Sequence, residues 1–186
     1  MIFDAGVTLT TDRLALRPFE AADAADLIEA SRDPEILRWM VWAQGQTPAQ
    51  ARDWCTVHAH ADPEEQLHLA IVAAGRFSGA VGLSRAGWFS GRVEIGYWMA
   101  PWARRRGYAV EATLAVAGYA FGKGLHRVEL LAATGNVASQ GVAERAGFTR
   151  EGVLREVLVV PGGRADAVLF SLLEDELKQE HEGEGP

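Results

Sequence analysis

The stretch Trp98-Met99-Ala100-Pro101-Trp102-Ala103-Arg104-Arg105-Arg106-Gly107-Tyr108-Ala109 decides the fold. Upstream, Val93, Ile95, Tyr97 and Met99 alternate with Glu94, Gly96 and Trp98. That is the period of a strand, and Pro101, which has no N–H for a ladder, stops it. Downstream, Val110, Leu114, Ala117 and Phe121 recur at spacings of four, three and four, the stripe of a core-facing helix. The quoted segment therefore carries a strand into a helix N-terminus. Such a terminus presents free N–H groups with a partial charge of about half a unit, which favours a phosphate. Gly107 lets backbone approach a pyrophosphate closely, Ala109 keeps the next position small, and Arg104, Arg105 and Arg106 add fork-shaped donors. Glu111, in the first turn, opposes a phosphate unless it points away. Taken alone, the segment also fits a solvated basic turn.

Outward from this joint the chain alternates elements without a repeat or an internal linker. Leu14 and Leu16 open a strand closed by Pro18, and a helix follows over about residues 20–31. Asp33-Pro34 breaks it, with a short second helix over 35–40. Thr47-Pro48 reads as an N-cap and first-turn proline for a third helix to about residue 61. Leu67, Leu69 and Ile71, the turn Ala74-Gly75-Arg76, then Phe77, Gly79, Val81 and Leu83 make a hairpin. Beyond the central helix come a strand over 127–133, a helix over 136–146 ended by Gly147, a strand over 152–160, a turn at Pro161-Gly162-Gly163 and a strand over 164–173. The sum is an α/β (mixed α+β) domain of about seven strands and four helices in one mixed sheet. The strands around 95 and 130 are parallel because a helix joins them, and the hairpins are antiparallel.

Composition bounds the function. With 186 residues, 48% of them hydrophobic and 23% charged, the chain builds a single core without metal or disulfide. Cys55, the sole cysteine, fits a reducing compartment. No apolar run reaches membrane-spanning length and no leader pattern opens the chain, so a cytoplasmic location without membrane contact is expected. The net charge of −7 argues against direct nucleic-acid binding. Residues 8–175 read as the domain and 176–186 as an acidic, solvated tail. No Walker loop and no dinucleotide fingerprint lies between a strand and a helix.

Arg104-x-x-Gly107-x-Ala109 after Glu94-Ile95-Gly96-Tyr97-Trp98 resembles the acetyl-CoA pyrophosphate loop of the GNAT N-acetyltransferases. Asn136-x-x-Ser139, followed by Ala143-Glu144-Arg145-Ala146-Gly147-Phe148, resembles their second CoA-contacting helix. With the opening Leu9-Thr10-Thr11-Asp12-Arg13-Leu14-x-Leu16-Arg17-Pro18, the set is similar to the RimJ/RimL branch, whose founding members acetylate N-termini of ribosomal proteins. The resemblance implies a sheet that splays between its two parallel central strands, with acyl-CoA in the splay and no metal. It implies that Trp98 and Met99 meet the pantetheine, with the Met99 N–H polarising the thioester carbonyl. The amides of Arg104, Arg105, Arg106, Gly107, Tyr108 and Ala109 would hold the pyrophosphate. Asn136, which is equally an N-cap, and Ser139 would lie near the sulfur, with Ser139 as proton donor. Trp39 and Trp42, beside Met40 and Trp54, would wall the acceptor groove. The glutamate that some members of the branch use as base falls on Leu158 here, which leaves Glu94, Glu156, His58, His68 or a water chain.

The chemistry then weighs the acceptors. At pH 7 a free α-amine is about one-tenth neutral and a lysine about one part in two thousand, a difference of roughly 3 kcal/mol in deprotonation. An α-amine therefore asks less of a base, whether it belongs to a protein N-terminus or a small molecule. A catalytically silent acyl-CoA-binding module is the alternative, and release of CoA thiol separates the two. The apolar last strand, Val168-Leu169-Phe170, fits either core or a homodimer interface.

Overall fold

The computed structural model describes residues 2–177. One eight-stranded sheet runs in the order β1-β2-β3-β4-β5-β6-β8-β7. The strands are β1 (Leu9–Thr10), β2 (Leu14–Arg17), β3 (Leu67–Ala73), β4 (Arg76–Gly87), β5 (Arg92–Met99), β6 (Arg127–Ala133), β7 (Thr149–Val160) and β8 (Gly163–Leu173). Every neighbouring pair is antiparallel except β5 and β6. The helices are α1 (Ala24–Ala30), α2 (Pro34–Trp39), α3 (Pro48–Thr56), α4 (Tyr108–Gly122) and α5 (Val137–Arg145).

Several expectations need correction. The strand count rises from seven to eight because the two-residue β1 pairs Leu9 with Leu16 and Thr10 with Ala15, too short to register as an alternation. Among the described residues a helical turn over 174–177 adds to the five helices named above, against about four expected. The helix expected over 20–31 is a 3-10 turn (Ala21–Asp23) running into α1. The third ends at Thr56 rather than near 61, and a separate 3-10 turn (His58–His60) follows. Strand β7 starts at Thr149, earlier than 152. In α4 the buried face is Ala112, Thr113, Val116, Ala117, Ala120 and Phe121, while Val110 and Leu114 are only partly buried. This helix is apolar nearly all round, so periodicity alone did not select the face. The alanines win because a small side chain lets the helix lie close on the sheet.

The helix starts follow their caps. Asp33 Oδ1 accepts from the backbone N–H of Glu35 and Ile36 at 3.1 and 3.0 Å, which fixes the start of α2. Thr47 and Gln50 form a reciprocal capping box at α3. Ala74 and Gly75 at positive φ turn β3 into β4.

The feature that positions the site lies in the middle of the sheet. Strands β5 and β6 pair only from Arg92–Glu94 to Arg127–Glu129. Beyond that, β5 stays with β4 as far as Met99 and β6 stays with β8 as far as Ala133, so the parallel strands part. Gly79 at φ +148 supports this geometry, since a Cβ there would stand 2.2 Å from the carbonyl oxygen of Trp98. A side chain at that position would push β4 off β5.

Of the tail, Glu176 and Leu177 are described. Glu176 accepts the N–H of Leu173 at 2.8 Å, and Leu177 packs partly buried against the core. The expected acidic tail from 178 to 186 lies outside the described residues.

Candidate active site

A cavity of about 580 Å³ occupies the place where β5 and β6 part. Ile95, Gly96, Tyr97 and Trp98 line it from β5, and Leu130, Leu131, Ala132 and Ala133 from β6. Asn136 and Ser139 line it from the start of α5. The opposite wall carries Trp39, Met40, Trp42, Trp54 and His68, and Leu158 of β7 closes one side. Trp39, Trp42, Trp98, Asn136 and Ser139, all singled out in the sequence, therefore line one volume.

The backbone of β5 adds a donor. The Ala100 N–H donates to the Ser78 carbonyl at 2.9 Å, on the β4 side. Because successive residues of a strand turn their N–H groups to opposite edges, the Met99 N–H faces the edge that β6 has left. Met99 itself ends the strand outside the cavity lining, and its carbonyl accepts from Arg104 Nε at 3.2 Å.

Ser139 is held on two sides. Its N–H donates to Asn136 Oδ1 at 3.1 Å, so Asn136 is both N-cap and cavity residue. Its Oγ lies 3.0 Å from the Tyr97 hydroxyl, which also donates to the Ser139 carbonyl at 3.1 Å. Burial pushes the Tyr97 phenol up to about 12, against the opposing pull of its bond to Ser139. Tyr97 therefore stays protonated near neutral pH. Sequence reasoning assigned it to the strand face and missed this partnership, although its alternation with Ile95 and Met99 already turned it to one side.

The loop before α4 is a separate part of the same strand-to-helix joint. Gly107, at φ +80, is the N-cap of α4 and offers no side chain to cap the first turn. Arg105 at φ +62 precedes it, so two left-handed residues bracket Arg106 and wind the backbone into the concave turn that suits an anion. Tyr108 and Ala109 begin the helix. The charge that opposed a phosphate here is engaged elsewhere: the Glu111 carboxylate accepts from Thr11 Oγ1, Arg13 N and Arg13 Nε, and pairs with Arg13 Nη2. Burial raises the Glu111 carboxyl, and the bonds from Thr11 and Arg13 outweigh it and hold the group below its ordinary value. Arg13 also donates to the Arg106 carbonyl at 2.9 Å. It thereby ties the opening strand to the loop.

Three placements differ from expectation. The Arg104 guanidinium is bound to Asp33, at 2.6 Å from Oδ1 and 3.2 Å from Oδ2, so free side-chain charge on the loop falls to Arg105 and Arg106. Glu94 sits at the last paired position of β5 and β6, 2.9 Å from Arg85 Nη1 and outside the cavity lining. The structure does not bring it to Ser139. Glu156 lies at φ +52 in an irregular stretch of β7 between Leu154 and Leu158 and is also outside the lining. The bulge breaks the alternation that would have put it on the face of Leu158.

Leu158, at the position the resemblance gives to a base, does line the cavity. His68 lines it too, and burial lowers its pKa, so the imidazole is neutral near pH 7. Its Nε2 stands 3.2 Å from Gln66 Oε1. Because that oxygen only accepts, Nε2 carries the proton and Nδ1 the lone pair. Among the described residues, no group of three or more His, Cys, Asp or Glu is placed to hold a metal ion. Nor is any helix there long and apolar enough to cross a membrane.

Comparison with known proteins agrees with this geometry. The family model described as acetyltransferase (GNAT) domain matches residues 13–149. A Bacillus subtilis (strain 168) protein, YdaF, whose name assigns it provisionally to the ribosomal N-acetyltransferases, is 31% identical, covering 93% of this chain and 96% of its own. The N-acetyltransferase p20 of Bacillus licheniformis, not otherwise characterised by its name, is 30% identical over 91% and 97% of the two chains. Among solved structures, Mycobacterium smegmatis RimJ in complex with CoA-disulfide has a TM-score of 0.82 and 25% identity, with 92% of this chain and 90% of that one covered. The chain therefore belongs to the acetyltransferase (GNAT) family and is an N-acetyltransferase whose acyl donor is acetyl-CoA.

Proposed function

We propose that this enzyme acts in the cytoplasm on a primary α-amine, of the kind borne by a protein N-terminus, by direct attack on the thioester. In this reading the amides from Arg104 to Ala109 at the start of α4 hold the pyrophosphate, and the pantetheine enters between β5 and β6 past Trp98 and Asn136. The amine nitrogen attacks the thioester carbonyl carbon, and the developing oxyanion is met by the Met99 N–H. The carbon–sulfur bond then breaks, the departing thiolate takes the hydroxyl proton of Ser139, and the proton shed by the new amide nitrogen returns to Ser139 through water. Trp39 and Trp42 wall the acceptor.

The observation that carries this reading is the parting of β5 and β6 over a cavity that holds Ser139. The α-amine is favoured because Asp53, the only carboxylate among the lining residues, belongs to a side chain that is 58% exposed, which leaves no buried acidic base for a lysine. The name of YdaF, a ribosomal N-acetyltransferase, supports a protein-borne amine as acceptor. The test is release of free CoA thiol from acetyl-CoA, with mass detection of product, comparing peptide α-amines with lysine side-chain amines. Transfer to α-amines is expected. Preference for lysine side chains would overturn the acceptor assignment, and tight acetyl-CoA binding without thiol release would restore the silent-module alternative.

A further inference from the structure

Four of the six tryptophans, Trp39, Trp42, Trp54 and Trp98, line the cavity. The rings are set against one another: Trp42 and Trp98 have centroids 5.1 Å apart, and Trp54 meets the His68 ring edge-on at 5.3 Å. Trp39 reaches the loop before α5, where a Cβ on Gly135 would stand 3.2 Å from its Cη2. Phe19, Leu27 and Met40 fill the spaces between them. The lining holds no lysine, arginine or glutamate. Asp53 is paired with His58 Nε2 at 2.9 Å, and both side chains are more than half exposed, so this charge lies at the rim.

From this lining we infer that the acceptor is a primary amine carrying a single positive charge next to an aromatic or bulky apolar group. The inference rests on the transferase reading and narrows its substrate class. Three physical arguments support it. An ammonium group is attracted to indole faces, and one carboxylate at the rim suffices to guide one charge. A polyamine, an aminoglycoside or a lysine-rich peptide would bring several charges to a wall whose one carboxylate is Asp53, and each buried charge left without a counter-charge is costly. An apolar group beside the amine, by contrast, displaces water from the tryptophan faces. The same dry wall disfavours the charged form of the amine and lowers its pKa. Desolvation thus supplies part of the deprotonation that Leu158, as a hydrocarbon, does not.

The experiment measures thiol release and product mass with the full chain and saturating acetyl-CoA. One arm uses 2-phenylethylamine and tryptamine, a second uses peptides that begin with Phe or Trp, and a third uses spermidine, an aminoglycoside and peptides that begin with Ser or Lys. The expected result is a kcat/KM for one of the first two arms about tenfold or more above the third, the gap that loss of aromatic contacts and added unpaired charge produces. The better of the first two arms says whether the aromatic amine is free or peptide-borne. Trp54→Ala should raise KM for that amine about tenfold while leaving KM for acetyl-CoA within about twofold, and Trp54→Phe should recover most of the loss. Equal or faster turnover of spermidine, the aminoglycoside or the Ser and Lys peptides would overturn this inference and leave the transferase intact. Thiol release with no amine at all would overturn both.

Discussion

The pairing of Arg104 with Asp33 makes a sharp prediction, because an arginine in a phosphate-binding loop is ordinarily assigned to the phosphate. Here its guanidinium makes two hydrogen bonds to Asp33 and a third to the Met99 carbonyl, with 31% of the Arg104 side chain and 14% of the Asp33 side chain exposed. Asp33 keeps two backbone N–H donors when Arg104 is removed, so its carboxylate is not orphaned. A hydrogen bond to a charged group contributes about 1.5–3 kcal/mol, and the remaining donors place the loss near the lower end, at about 2 kcal/mol. At this chain length each kcal/mol moves Tm by about 2–4 °C, so Arg104→Met should melt about 4–8 °C lower. Urea and thermal unfolding of the wild type, Arg104→Met, Asp33→Asn and the double variant give the coupling directly. The double variant should be no less stable than the worse single one, and acetyl-CoA affinity should change by less than about threefold. Unchanged stability with a loss of acetyl-CoA affinity of about tenfold or more would refute the reasoning and return Arg104 to the phosphate.

Gly107→Val puts a β-branched residue at φ +80 with its Cβ 3.3 Å from Arg13 Nη2. It should cost about 1–2 kcal/mol of stability and weaken acetyl-CoA binding about tenfold by calorimetry. Ser139→Ala should lower kcat with little change in acetyl-CoA affinity. Tyr97→Phe should do the same to a smaller extent, and the two losses should fail to add if the 3.0 Å contact between the hydroxyls operates as a unit. Glu151 is held at about 2, first by its hydrogen bonds from Arg127 and then by Ser171. A carboxylate depressed in the folded state stabilises the protein above the ordinary value of 4.5 and loses that contribution as pH falls toward 2. Denaturant midpoints of Glu151→Gln should therefore be lower than wild type at pH 7, with the gap narrowing between pH 5 and 2.

The donor side of the site was legible because it depends on backbone geometry that few residues satisfy. Gly107 at a left-handed helix start, Pro101 ending β5 and Asn136 capping α5 each leave a local signature. The parallel pairing of β5 and β6 followed from the helix between them, and the splay came with the resemblance. The acceptor side was only outlined. Trp39, Trp42 and Trp54 were visible as aromatics, but their gathering with Trp98 and His68 depends on contacts between segments far apart in the chain. Glu94 and Glu156 misled because period-two reasoning says which face a side chain takes, not whether that face opens on the cavity or whether a bulge intervenes. The bond between Tyr97 and Ser139 joins residues separated by 42 positions, beyond any local pattern.

The short register between β5 and β6 has a mechanical meaning. Three residue pairs, Arg92 to Glu94 with Arg127 to Glu129, are the whole ladder between a five-stranded half and a three-stranded half. A sheet joined over its full length transmits shear through every rung; here the two halves share one short seam, and α4, packed on β4, β5 and β6, braces it from one side.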